Sequence, residues 1–175
     1  MSESWKFQEG HAHFVTFAVV GWIDVFTRAD YAEFLLKSFA HCRDNKGLEL
    51  HEFVIMPNHV HLIASSAKDG LGSILRDLKT YTSKELVRMI ATNPKESRRE
   101  WMLRMFREHG EANPQNTHHQ FWQQENHPIV LDTPRKFAEC TRYVRENPLR
   151  ARLVTDEAAY RWGSANPNVW AELEE

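Results

Sequence analysis

The chain is poor in cysteine. Cys42 and Cys140 stand apart, with no Cys-x-x-Cys pair. This excludes a disulfide framework or a zinc ribbon and suits two buried thiols in a reducing compartment. No apolar run nears the roughly 20 residues of a membrane span, and the first residues lack the apolar stretch of a signal peptide. The expectation is a cytoplasmic protein with no membrane partner. Net charge is small, at −2, so bulk charge alone announces no nucleic-acid partner. Internal repeats and low-complexity segments are also missing. What remains is a folding composition: 42% hydrophobic, with six Trp and ten Phe to build a core. At 175 residues, one domain over 1–175 is expected. Its core spans about 10–166, ahead of a polar, acidic tail.

Charge is uneven along the chain. From Arg76 to Arg107 there are nine Lys/Arg against four Asp/Glu, and from Arg135 to Arg152 six against two. The first 72 residues and the tail from Leu153 are acidic. Each basic segment alone reads as a solvated helix face. Together, beside a suitable site, they read as a track for phosphates.

The order of elements follows from periodicity. Phe14 to Val20 is β-branched and aromatic, the composition of a strand. Tyr31, Phe34, Leu35, Phe39 and Cys42 recur at helical spacing, and Gly47 stops that helix. Leu48 to Met56 and His59 to Ser66 read as two strands joined at Pro57-Asn58. A helix follows from Ser73 to Thr92, then another over 96–108. Residues 111–126 are polar and read as a mobile loop, in which Phe121-Trp122 is either an anchor or a base-stacking pair. Pro128 to Leu131 is a short strand. Asp132 or Thr133 caps a last helix, which Asn147-Pro148 interrupts. The class is α+β: a ferredoxin-like βαββαβ sandwich with an antiparallel sheet, helices on one side and extra helices.

Two stretches carry chemistry. In Met56-Pro57-Asn58-His59-Val60-His61-Leu62, strand alternation puts His59 and His61 on one face and Val60 and Leu62 on the other. Two imidazoles on one face can hold a cation, or can simply line a polar sheet face. His51 reads as structural. In Tyr143-Val144-Arg145-Glu146-Asn147-Pro148, helical spacing presents the phenol of Tyr143 and the amide of Asn147 together. An amide oxygen is a hard ligand suited to Mg2+ or Mn2+. A phenol can attack phosphorus, although it ordinarily ionises near pH ~10 and needs a cation or base beside it.

These paired motifs resemble the single-tyrosine HUH transposases, above all their REP-associated tyrosine transposase branch. The likeness extends to Arg76-Asp77-Leu78-Lys79-Thr80-Tyr81-Thr82-Ser83-Lys84, similar to that family's basic segment. It also covers Arg161-Trp162-Gly163-Ser164-Ala165, where Gly163 replaces the usual Ser of a Trp-Ser-Ser-like tail. The resemblance implies a divalent metal, Mg2+ or Mn2+, on His59, His61 and Asn147, with Tyr143 as nucleophile. It implies single-stranded or hairpin DNA as partner, nicked and rejoined through a 5′-phosphotyrosine. Arg76, Lys79, Lys84, Arg142, Arg145 and Arg150 are the candidate DNA contacts. A homodimer is an expected arrangement, with the tyrosine helix acting in cis or in trans. The alternatives are a non-cutting nucleic-acid binder on the same fold and a zinc hydrolase. The hydrolase needs a third strong ligand, for which His11, His13, His118 and His119 are spare imidazoles.

Overall fold

Strand β1, His13–Ala18, alternates as a half-buried strand should. Val15 and Phe17 bury on one face, while Phe14 and Thr16 turn to the other. It ends at Ala18, not at Val20, because Gly21 (φ 62°) and Trp22 (φ 53°) turn the chain through left-handed conformations. The computed structural model describes residues 7–68, 70–114, 118–124 and 127–173. Helix α1, Ala29–Lys46, buries Tyr31, Leu35, Phe39 and Cys42. It stops at Gly47, whose φ of 75° suits a residue without Cβ and whose N–H donates to the Cys42 carbonyl.

Strands β2 (Leu48–Ile55) and β3 (His59–Ser66) form the tight hairpin. Helices α2 (Leu71–Thr92) and α3 (Arg99–Glu111) lead to a short edge strand, β4 (Ile129–Val130). The sheet order is β2-β3-β1-β4, antiparallel throughout, as a ferredoxin-like arrangement requires. Val60 and Leu62 are fully buried against the layer of α1 and α2. Burying such side chains stabilises by about 1.5–3 kcal/mol each. The register is thereby fixed, since a slip by one residue would drive His59 and His61 into the core.

The expectation of helices on one side is corrected by α4, Pro134–Arg150. It packs on the opposite face, where Val144 meets Val54, Met56, Ile63 and Leu131. Thr133 caps it by accepting from the Lys136 N–H at 3.3 Å, with Pro134 at the first turn. Pro148 does not interrupt it. The ring falls in the final turn, so the one lost backbone bond costs little helix, and Asn147 stays helical.

The loop expectation also changes. Phe121 and Trp122 are buried, and the Trp122 indole N–H donates to Thr82 Oγ1 at 3.0 Å. They anchor residues 118–124 to the core; residues 115–117 and 125–126 of that loop lie outside the described residues. The C-terminal stretch packs on the sheet. Residues 160–164 lie along β2, where Trp162 O accepts from Ile55 N–H at 2.8 Å and Phe53 O accepts from Ser164 N–H at 2.9 Å. Helix α5, Pro167–Glu172, then brings Val169 and its follower Leu173 into the core. Among the described residues, no helix is long and apolar enough to cross a membrane.

Candidate active site

The site lies in the cleft between β3 and α4. Register places His61 opposite Thr16 and His59 opposite Ala18, both rings on the α4 face. The two imidazoles meet with centroids 4.8 Å apart. Each is held from behind. Asn58 Nδ2 donates to the Trp22 carbonyl at 3.3 Å, which turns Asn58 Oδ1 toward His59. His59 Nδ1–H therefore donates to that oxygen at 2.7 Å and leaves the Nε2 lone pair open. His61 Nδ1 pairs with Thr16 Oγ1 at 2.8 Å, and its Nε2 has no partner among the described residues. Burial lowers the pKa of His59. Burial, with the neighbouring His59 adding to it, pushes His61 down to about 3. Both rings are neutral at physiological pH, the form that binds a metal.

Tyr143 reaches the pair from α4. Its ring stands edge-on to His61 with centroids 5.2 Å apart. Phe14 steadies both, stacking on His61 at 5.2 Å and meeting Tyr143 edge-to-face at 5.8 Å. The phenol is 38% exposed, and its hydroxyl has no hydrogen-bond partner among the described residues. Asn147 follows one helical turn later on the same side, nearly buried, its amide also unbonded among the described residues. Phenol and imidazoles thus come together within one chain.

The donor set suits a hard divalent cation: two neutral imidazoles fixed by second partners, and an unbonded amide one helical turn beyond Tyr143. A zinc hydrolase is less well served. Among the described residues, no three His, Cys, Asp or Glu side chains converge as a metal site. His13 lies at the far end of β1, opposite Ala64, and His118 and His119 line a groove against α2.

The basic residues divide between the two faces of the sheet, so they do not form one track beside the histidines. Arg76 and Lys84 are exposed on a groove of about 910 Å³ between α2 and residues 118–124. Lys79 lines it too, but its ammonium donates to the Gln123 carbonyl at 2.9 Å, and burial lowers its pKa to about 8. On α4, Arg142 is exposed. The Arg150 guanidinium lies 5.2 Å from the Tyr143 ring centre and pairs with Glu146 at 2.8 Å. Arg145 is a structural residue here. Its guanidinium binds the buried carboxylate of Glu52 at 2.5 Å, and Ser164 Oγ donates to the same group at 2.5 Å. Arg145 therefore fastens α4 and the 160–164 segment to β2.

Residues 6–117, from just ahead of β1 through α3, match the sequence profile described as transposase, IS200 like. The chain belongs to the IS200-like transposase family. DNA transposition is the general activity of that family, and this transposase is a DNA-processing enzyme. The matched span holds His59 and His61 and ends before α4, so Tyr143 and Asn147 rest on the geometry above. A solved REP-associated tyrosine transposase, bound to a REP hairpin, is similar with a TM-score of 0.65 at 16% identity. That likeness covers 99% of this chain and 88% of the other, and it establishes a shared fold. A candidate transposase from Deinococcus radiodurans R1 aligns at 19% identity over 84% of this chain and 97% of the other, with a TM-score of 0.45. Among curated proteins nothing matches.

Several residues of this IS200-like transposase site escape sequence reading. Thr16 and Phe14 show only as strand residues until the β1–β3 register is known. Asn58 sits inside the histidine motif, yet reads there as a turn. Glu52 offered one signal, an acidic residue directly ahead of the apolar run Phe53-Val54-Ile55.

Proposed function

We propose that this chain nicks and rejoins single-stranded DNA through a covalent 5′-phosphotyrosine on Tyr143. One observation carries the reading: a solvent-reachable phenol stands beside two neutral imidazoles whose Nε2 atoms are open. His59, His61 and the Asn147 amide oxygen would hold Mg2+ or Mn2+. Bound there, such a cation would supply Lewis-acid activation of a phosphoryl oxygen. Tyr143 Oη bonds to the scissile phosphorus as the P–O3′ bond breaks. The phenolic proton is accounted for on the departing oxygen, giving a free 3′-OH. One phosphodiester replaces another, so the reverse attack rejoins strands without an external energy source. Phe14 keeps the phenol edge-on to His61. Thr16 and Asn58 keep the imidazoles turned toward the cleft.

The DNA is proposed to be a single strand flanked by a hairpin, the kind of ligand named for the REP-associated relative. Arg142 and Arg150 flank the tyrosine on α4 and suit the strand being cut. Arg76 and Lys84 line the groove across the sheet and suit phosphates outside the cleavage site. The test is Tyr143→Phe with hairpin-bearing oligonucleotides and Mn2+. Nicking should vanish while DNA affinity stays within about twofold, because only an exposed hydroxyl is removed. Nicking that survives in this variant removes Tyr143 from the chemistry. Nicking unchanged by chelator, or in His61→Ala, removes the metal.

A further inference from the structure

Trp22 is the most exposed large apolar side chain among the described residues, at 58%. Its neighbours Val20, Ile23 and Val25 are buried, so the turn itself is bolted to the core. Trp22 also holds a left-handed backbone, φ 53°, directly after Gly21 at φ 62°. A bulky residue with a Cβ disfavours that conformation, whereas Gly or Asn would fit it readily. Local stability thus argues against Trp at this place on two counts, backbone and exposure. Such violations concentrate at functional sites.

Hydrogen bonds tie the turn to the site. Trp22 N–H donates to the Val19 carbonyl at 3.1 Å, and Trp22 O accepts from Asn58 Nδ2 at 3.3 Å. Asn58 is the same residue that orients His59. The indole and the His59 ring have centroids 6.0 Å apart and planes at 77°. The contact is edge-to-face, so the imidazole does not sandwich the indole. A flat, solvent-facing aromatic therefore borders the cleft beside His59. Aromatic rings in such positions bind unpaired bases by stacking, which tolerates any base because every base has a π-face.

We infer that Trp22 is the stacking platform for an unpaired base next to the scissile phosphate. This rests on the reading of His59, His61 and Tyr143 as a single-strand DNA site. It assigns the site a nucleobase contact that is neither metal ligand nor nucleophile.

The test compares binding of two labelled strands by fluorescence anisotropy, without any need for cleavage. One is a twelve-nucleotide oligo-dT; the other has the same backbone with every base missing. Wild type should prefer oligo-dT. Trp22→Ala should weaken oligo-dT binding by roughly tenfold, the scale of one lost stack, and leave the abasic strand unchanged. Trp22→Phe should keep most of the preference, since a smaller ring still stacks. Equal thermal midpoints for the three proteins would show that each is folded. The inference is overturned if wild type has no preference for bases, if Trp22→Ala binds oligo-dT as wild type does, or if it weakens on both strands alike. Nicking is scored separately through the Tyr143 adduct. An adduct formed equally by wild type and Trp22→Ala would sink the stacking role and spare the nuclease reading. Base preference lost in Trp22→Ala, with no adduct in wild type, would do the reverse.

Discussion

Removing Arg145 should loosen the helix that carries the nucleophile. Its guanidinium holds Glu52, a residue only 7% exposed, through contacts of 2.5 and 3.2 Å. Ser164 Oγ supplies the remaining short bond to that carboxylate. Arg145→Ala leaves a buried carboxylate with the serine as its one direct partner among the described residues. Losing one partner of a fully buried pair costs about 3–5 kcal/mol. Because the Arg145 side chain is 42% exposed, water can replace part of it, and about 2–3 kcal/mol is the expected loss. At about 2–4 °C per kcal/mol for a domain of this size, the midpoint should fall by roughly 5–10 °C. Thermal and urea unfolding followed by circular dichroism would measure it. Glu52→Gln should cost less, since the arginine left behind can reach water. The double variant should recover much of the Arg145→Ala loss, because no charge is then stranded. An Arg145→Ala protein as stable as wild type, or strictly additive losses in the double variant, would show that this ion pair does not hold α4 to the sheet.

Other expectations follow from the same geometry. In chelator, His61 takes up its proton only near pH 3 when folded, against about 6.5 when unfolded. The unfolded state binds the extra proton between those values, so stability should decline as pH falls from 6.5, by up to about 1.4 kcal/mol per unit, and level off above it. Wild type and His61→Asn compared by urea unfolding from pH 7 to 4 should diverge; parallel curves would contradict the burial of this ring. Arg76→Ala with Lys84→Ala should flatten the salt dependence of single-strand binding by about 0.7 per lost contact. An unchanged slope would move the phosphates away from the α2 groove. A Cβ at Gly110 would come within 2.9 Å of the His118 and His119 backbone. Gly110→Ala should therefore cost about 1–3 kcal/mol by displacing the anchored 118–122 segment, and a midpoint equal to wild type would show that this segment yields freely.

Much of this architecture is written in local pattern. Strand alternation at Val60 and Leu62 decides which face buries, and so which face His59 and His61 share. The helix stop at Gly47 follows from its need for a positive φ. The four-residue spacing of Tyr143 and Asn147 is enough by itself to place both on one side of α4. What local pattern lacks is partnership across the chain. Pro148 reads as a break because its ring is a hazard in a helix interior, yet its cost depends on how near the helix end it falls. Which face of the sheet receives α4 is set by Val144 docking on Val54 and Ile63, contacts far apart in sequence. Arg145 meets Glu52 only through that docking, so it looks like a surface cation until Glu52 is placed beneath it. Phe121 and Trp122 sit in a polar stretch that reads as loop, and only their burial shows them to be its anchor.

The most direct test of the central claim is a covalent one. Purified protein, Mn2+ and a pool of labelled hairpin-bearing single strands would be run on a denaturing gel, and any shifted band digested for mass spectrometry. A nucleotide adduct on Tyr143 that is absent from Tyr143→Phe is the expected result. An adduct on another residue, or strand cleavage with no protein-linked intermediate, would contradict it.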